Sequence, residues 1–356
     1  MTVSIIVAVK GDNPNLRECI ESCLSLDYPD FEILVLPDND LILSYPKTRV
    51  IPTGEVTPPI KRDMALSWAK GEILAFLDDD AYPDKDWLTK ALRHFEPPEI
   101  AAVGGPAVTP DSDSLMRKAS GQVYNSFLMS GQYVYRYLPK KERFVDDYPS
   151  CNFLVRKSVM LELGGFNTKF WPGEDTFLCL KIVQDLKKKI IYDPQVLVYH
   201  HRRGLFKGHL KQIANYALHR GYFVKRFPET SFKFTYFLPS FFVLGLFFGR
   251  VVSLLNPALT CLYFFLLSFY FIIVLIFTVK DNPLVIRSKS SFQISPPLVG
   301  GARGGGVSRV FSDSWAPTAK EDFRLIFLIF WGIIFSHFIY GIYFIKGLSS
   351  WRLKEE

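Results

Sequence analysis

KRDMALSWAKGEILAFLDDD, residues 61–80, holds a helix-forming half, a glycine stop and an apolar run that ends in three carboxylates. Residues 58–70 read as a helix ended by Gly71, because glycine takes the backbone angles that close a helix at no steric cost. Ile73 to Leu77 is a short uninterrupted apolar run, the signature of a strand buried on both faces. Asp78, Asp79 and Asp80 therefore stand at the carboxyl end of a strand. Upstream, Val3 to Val9 is a second such run, and Phe31 to Leu36 a third, ending at Pro37-Asp38-Asn39-Asp40. Between them, Asp12 or Asn13 can cap a helix with Pro14 in its first turn, and Leu16, Cys19, Ile20, Cys23 and Leu24 recur at helical spacing. A helix over 85–95 and a strand over 101–104 come next. The order β-α-β-α-β-α-β predicts an α/β domain with a mostly parallel, Rossmann-like sheet and right-handed crossovers. Ligands bind such sheets at the carboxyl ends of the strands, where Asp38 and Asp78–Asp80 lie.

Beyond this core, a helix is expected over 114–132 and the remainder of 110–150 as loop. A strand over 152–156, a short helix over 158–163, a helix over 174–186 and strands at 190–192 and 196–200 complete the domain, which we place at 1–200. The chain start has no charged segment ahead of its apolar run and reads as a strand rather than a signal peptide. The five cysteines form no CxxC pair and read as reduced, buried thiols.

The chain has 356 residues, 49% of them hydrophobic, with a net charge of +7. From Phe234 the sequence turns strongly apolar. Two transmembrane helices are expected within 234–279 and a third within 323–346, each about 20 residues and long enough to span a bilayer. The 280–322 segment between them contains SPPLVGGARGGG (295–306), which is too rich in Gly and Pro to build a core and reads as a mobile loop. Ahead of the spans, 201–230 carries Arg202, Arg203, Lys207, Lys211, Arg220, Lys225 and Arg226, interleaved with apolar residues. Basic amphipathic segments beside a span favour the interface and the anionic cytoplasmic leaflet. The expected setting is the plasma membrane, multi-pass, with the catalytic domain cytoplasmic and lipid as a partner. No nucleic-acid motif accompanies the charge, so no nucleic-acid partner is expected. Three spans place the carboxyl terminus on the far side, yet Arg352 and Lys354 flank the last one. An interfacial or re-entrant helix is the alternative.

Three adjacent carboxylates repel one another and call for a cation, and a divalent metal on a diphosphate meets that need through oxygen ligands. An acidic turn capping the following helix is the plainer alternative. Glu174 and Asp175 open a helix after Phe170-Trp171-Pro172-Gly173. One of the two can serve as a general base, or both can simply answer the helix dipole.

Taken together and in order, VSIIVAVK (3–10), FEILVL (31–36), the 61–80 stretch, CNFLVRKSVMLELGGFNTKFWPGEDTFLCLKI (151–182) and VYHHRR (198–203) resemble glycosyltransferase family 2, with its GT-A fold. The resemblance covers about residues 1–225. FSHFIYGIYFIKGL (335–348) is similar to the last membrane helix of bacterial members with C-terminal spans. The resemblance implies that Asp78 and Asp80 form the DxD motif, with Asp78 near the ribose and Asp80 on a divalent metal, Mn2+ or Mg2+. Asp79 belongs to the same nucleotide-sugar-binding stretch. It implies that Asp175 is the base for the acceptor hydroxyl, that Glu174 shapes the acceptor site, and that Val9, Lys10, Asp38, Lys61 and Arg62 border the nucleotide. His200 is implied as a further metal or diphosphate contact, and Arg202 and Arg203 as neutralising the leaving diphosphate. A structural hydrogen bond at a strand end remains the alternative for His200, and contact with lipid headgroups for Arg202 and Arg203. One departure stands out: the second strand ends in Pro37-Asp38 where the family commonly has two Asp residues.

The implied reaction is inverting transfer of a sugar from a nucleoside-diphosphate sugar to a hydroxyl of a glycan or lipid-linked acceptor. The QxxRW motif of processive synthases is missing after Asp175. Transfer to a polyprenyl phosphate and a non-catalytic membrane scaffold are the rival readings.

Overall fold

The computed structural model describes residues 1–281 and 319–355, with the side chains of 319–322 left aside. Most of the expected loop at 280–322 therefore lies outside the described residues. The amino-terminal domain is built on an eight-stranded sheet in the order β3-β2-β1-β4-β9-β6-β10-β8. These strands are β1 Val3–Ala8, β2 Phe31–Leu36, β3 Thr48–Val50, β4 Ile73–Asp78, β6 Ile100–Gly104, β8 Arg143–Val145, β9 Asn152–Arg156 and β10 Lys189–Tyr192. Six run in one direction, while β9 and β8 oppose them. A smaller sheet joins β5 Ala81–Pro83, β11 Val198–His200 and β7 Ala107–Val108.

The sheet is the expected α/β core, mostly parallel. The fold adds the short strands β3, β5, β7 and β8 to those expected, and β9 inserts antiparallel between β4 and β6. Neighbourhood in sequence therefore does not give neighbourhood in the sheet here, because a strand from the second half of the domain separates two from the first. Residues on β4 alternate between the two cores. Ile73, Ala75 and Leu77 join Leu16, Cys19 and Trp87 on one face. Leu74 and Phe76 join Met160, Phe166 and Leu178 on the other. That alternation is the period-2 geometry of a strand buried on both sides.

Local chemistry fixes the helix starts. The Asn13 side chain accepts from Leu16 N at 2.9 Å, with Pro14 opening the helix Pro14–Leu24. Of the two caps weighed from the sequence, Asn13 is the one used. The helix expected over 58–70 is shorter, Pro58–Ala65. Gly71 brings the chain against β1 so closely that a Cβ there would collide with the Ser4 backbone. The helix expected over 114–132 breaks at Ser126, whose hydroxyl caps a second short turn, Phe127–Ser130. The helix begun at Glu174 is α-helical to Leu180 and continues as a π-turn to Asp185.

Three C-terminal helices are long and apolar enough to cross a membrane: Phe234–Ser253, Pro257–Lys280 and Phe323–Ser349, the last within the helix Ala319–Ser349. The first two form an antiparallel hairpin, with Tyr263 OH on Leu246 O at 3.2 Å and Phe242 stacked on Tyr270. Its open end meets the domain. Lys233 pairs with Asp146, Tyr236 stacks on Tyr133, and Asp281 accepts from Ser126 Oγ. The helix Lys207–Arg226 packs between the domain and the third apolar helix. Of its apolar residues expected in the membrane interface, Ile213, Ala217 and Phe223 are each no more than 2% exposed, whereas Tyr216 is exposed.

Candidate active site

The carboxyl ends of the central strands are level, since Ala8 of β1 pairs with both Leu36 of β2 and Asp78 of β4. Asp38 and Asp78–Asp80 are thus delivered to one rim of the sheet. The small sheet adds His200, because β11 runs antiparallel to β5 with His200 opposite Ala81. His200 Nε2 lies 3.0 Å from Asp80 Oδ1. Asp78, Asp80 and His200 present one ligand atom each, all within 4.8 Å of one another. Two carboxylates and an imidazole suit a divalent cation such as Mn2+, so the residues present fit the implied metal. Burial would raise the Asp80 carboxyl, but His200 and the nearby Arg202 and Arg203 hold it below its ordinary value.

Asp79 points elsewhere. Its Oδ2 accepts from Asn13 Nδ2 at 2.9 Å, and burial together with the charge of Asp80 pushes its pKa up to about 6. Arg202 is buried beside the Asp78–Asp80–His200 group, with Nη1 2.9 Å from His200 Nδ1, whereas Arg203 is exposed. Lys10 is also exposed at the end of β1.

Lys61 and Arg62 sit side by side on the helix Pro58–Ala65, buried and turned inward. The Lys61 ammonium donates to Val9 O at 2.7 Å and Leu36 O at 3.1 Å, and pairs with Asp38 Oδ1 at 2.5 Å. An ammonium has three donors, and all three are engaged. Lys61 therefore ties the ends of β1 and β2 together from behind. Arg62 spans two distant parts of the chain. Its Nη2 donates to Asp78 Oδ1 at 2.9 Å and its Nη1 to Glu174 Oε1 at 3.0 Å. The two carboxylate groups singled out in the sequence thus converge on one guanidinium.

Gly173 (φ 114°) sets the turn into the helix Glu174–Leu180, a backbone angle that disfavours any side chain. Phe223 from the helix Lys207–Arg226 fills the space where a Cβ would be. Glu174 is buried and its pKa is pushed up to about 7 by burial and by the charge of Asp175, against the pull of Arg62. Asp175 accepts from Thr176 N at 2.8 Å, and burial and the charge of Asp147 raise its carboxyl above the ordinary value.

Asp175 opens on a cavity of about 810 Å³ between the domain and the apolar helices. Near the carboxylate its wall is Arg136, Asp147, Thr176 and Arg220; farther in it is Phe242, Tyr270, His337 and Tyr340. Asp147 accepts from Thr176 Oγ1 at 3.0 Å and Arg220 Nη2 at 3.1 Å, with Arg136 Nη2 at 3.5 Å. Burial opposes its charge, yet the two guanidiniums hold the Asp147 pKa at about 2. Sequence reading missed Asp147 and Arg136, which lie in the stretch expected as loop. It counted Arg220 with the membrane-facing charges. A buried charge cluster of this kind has no local pattern to betray it.

Residues 4–164 match the family model for glycosyl transferase family 2. That match takes in a little under half of the chain and marks what its amino-terminal domain is similar to. Among curated proteins, a pre-mycofactocin glycosyltransferase of Mycobacterium tuberculosis is 25% identical to this chain over 219 residues. That match covers 60% of this chain and 46% of the relative, so the chain spans about half the length of that protein. A glucosyl-dolichyl phosphate glucuronosyltransferase of Haloferax volcanii is 26% identical over 223 residues, covering 56% of this chain and 69% of that one. A solved mannosyltransferase from Pyrobaculum calidifontis, in complex with GDP-Man and Mn2+, superposes with a TM-score of 0.45 at 19% identity, covering 62% of this chain and 61% of that one.

Proposed function

We propose that this protein is an inverting, metal-dependent glycosyltransferase that moves a sugar from a nucleoside diphosphate to a hydroxyl of a lipid-linked or cell-surface glycan acceptor at the cytoplasmic face of the membrane. The observation that carries the reading is Arg62, which holds Asp78 at the donor rim and Glu174 beside the acceptor cavity in one buried ion-pair system. The donor lies over the ends of β1, β2 and β4, with Val9, Lys10 and Asp38 bordering the nucleotide. Lys61 shapes that border by fixing the backbone of Val9 and Leu36. Asp78, Asp80 and His200 hold the divalent metal, which when bound neutralises charge on the diphosphate. Arg202 and Arg203 add positive charge on the same side, where the leaving group accumulates its negative charge.

Asp175 takes the proton of the acceptor hydroxyl as that oxygen attacks the anomeric carbon from the face opposite the diphosphate. Its raised pKa brings it nearer to neutrality, where a general base works best. Glu174 holds Arg62 in place and narrows the acceptor entrance. The acceptor reaches Asp175 through the cavity, whose inner wall is made by the apolar helices. The protein is read as a membrane enzyme on that ground and on the hydropathy of those helices.

A second reading has one observation in its favour. Arg136, Arg220 and Lys233 all line the cavity, as would suit an acceptor that is itself a lipid phosphate. Such an acceptor needs no general base. The test is Asp175→Asn in purified protein, assayed with a panel of nucleoside-diphosphate sugars, Mn2+ and a membrane lipid extract. We expect release of nucleoside diphosphate to fall by about 10³-fold, with thermal stabilisation by the nucleotide kept. Near-normal transfer by the folded variant would overturn the base assignment, and transfer that persists only to lipid phosphates would favour the second reading.

A further inference from the structure

We infer that the third apolar helix, Ala319–Ser349, lies along the membrane surface beneath the catalytic domain instead of crossing the bilayer, so that the chain crosses twice and its carboxyl terminus shares the side of the active site. The partner of its outward face is the near leaflet, at the boundary of headgroups and acyl chains.

The first argument is contact at both ends. Leu325, Ile329 and Ile333 pack with Ala119, Val123 and Leu205 of the domain. Toward the other end, Phe344 joins Ala217 and Val224 of the helix Lys207–Arg226, and Leu353 joins Phe170 and Tyr222. A helix standing across a bilayer can touch a domain on one side of that bilayer with one end only. At about 1.5 Å per residue its 31 residues extend roughly 46 Å, longer than the roughly 30 Å hydrocarbon core.

The middle of the helix gives the second argument. Ser336 Oγ lies 2.9 Å from His209 Nε2, and the other ring nitrogen of His209 lies 2.8 Å from Ser120 Oγ. His337 Nε2 lies 2.9 Å from Leu128 O. Were the helix to span, these groups would sit at the bilayer midplane and would drag with them a domain segment that carries Asp113, Arg117 and Lys118. Charges at that depth cost several kcal/mol each.

The hairpin behaves differently. Both of its ends are fastened to the domain, at Lys233–Asp146 and Ser126–Asp281. Its tip, Leu254 and Leu255, is 68% and 80% exposed. Each arm is long enough to cross. Asn256 and Arg250 near the tip supply the polar groups expected at a far interface. Against this, the exposed face of the third helix carries Phe323, Phe327, Phe335 and Ile342, with Arg324 and Lys346 on the same face toward its two ends. The opposite side carries Gly221–Phe344 and Gly347–Leu218 approaches so close that a Cβ would strike backbone. One face bound to protein and one largely apolar face outward, with Arg352 and Lys354 just past the end, is the make-up of a helix lying in the interface.

Single cysteines test this in full-length protein on a Cys261→Ser background, since Cys261 is exposed and Cys19, Cys23, Cys151 and Cys179 are buried. Glu96→Cys reports the domain, Leu255→Cys the hairpin tip and Ser349→Cys the end of the third helix. Each is treated with a membrane-impermeant maleimide in intact spheroplasts and in inverted vesicles. We expect Ser349→Cys to label with Glu96→Cys and Leu255→Cys to label only from the opposite side. Labelling of Ser349→Cys together with Leu255→Cys, or from neither side, overturns the in-plane helix. Labelling of Leu255→Cys together with Glu96→Cys, or from neither side, overturns the two crossings. The readout needs no activity, so its failure leaves the proposed reaction untouched.

Discussion

The donor rim and the acceptor cavity meet at Asp175 but are built from different materials. At the rim, charges are set by strand ends: Lys61 with Asp38, Arg62 with Asp78 and Glu174, His200 with Asp80. The sheet fixes where they stand before any ligand arrives. In the cavity, aromatic side chains from the domain and from four separate helices close around a single charged knot, Asp147 between Arg136 and Arg220. The rim is positioned by backbone pairing, the cavity by how helices pack. In the proposed reaction the rim is the place for a metal-bound diphosphate and the cavity the place for the acceptor.

Three experiments press on that contrast. Asp147→Asn strikes the knot and leaves two partly buried guanidiniums without their carboxylate, a loss of about 3 kcal/mol in stability. Denaturant titration measures it. The native Asp147 has a pKa of about 2 against an ordinary value of 3.8. Its stabilisation is thus complete above 3.8 and lost as pH falls through about 2, and the variant should lack that acid dependence. If Asp147→Asn is as stable as the parent, the cavity is not held by its charges.

Removing metal with EDTA strikes the rim alone. Transfer should fall by about 10²-fold or more and return with Mn2+, while the denaturation midpoint of metal-free protein stays close to that of the loaded form at low pH. Full activity in EDTA breaks the division of labour outright. The smallest effect is at the seam. Protonation of the Glu174–Asp175 pair should reduce kcat on the acid side, with Glu174 titrating at about 7. Glu174→Gln removes one of the two negative charges and frees Arg62 to favour an ionised Asp175, so the acid limb of a kcat–pH profile should move to lower pH. A limb that stays in place separates Glu174 from the catalytic carboxylate.

The rim was legible in the sequence because it is written in short, local words. An apolar run followed by Asp78–Asp80 is a strand end with carboxylates, and Asn13-Pro14 is a helix start, whatever the rest of the chain does. Even so, two roles needed coordinates. Lys61 turns its donors to backbone behind the nucleotide border, and Asp79 turns away to Asn13, because side-chain direction depends on what packs alongside. The cavity was not legible. Arg136, Asp147 and Arg220 are separated by up to 84 positions, and nothing in the spacing of one predicts another. Strand order failed for the same reason, since the insertion of β9 between β4 and β6 is a long-range pairing. The apolar helices were found by composition, but composition measures length and hydropathy and carries no information about tilt.

The absence of a side chain at Gly173 has a consequence for how this protein can be divided. Phe223 occupies the gap, and Phe223 belongs to a helix locked against the third apolar helix at Gly221 and Gly347. Cutting the chain after the small sheet would pull out the plug behind the turn that presents Glu174 and Asp175. The soluble-looking half and the greasy half are therefore not separable modules, and a chain shortened after the small sheet, however well folded, would carry a slack Glu174–Asp175 turn.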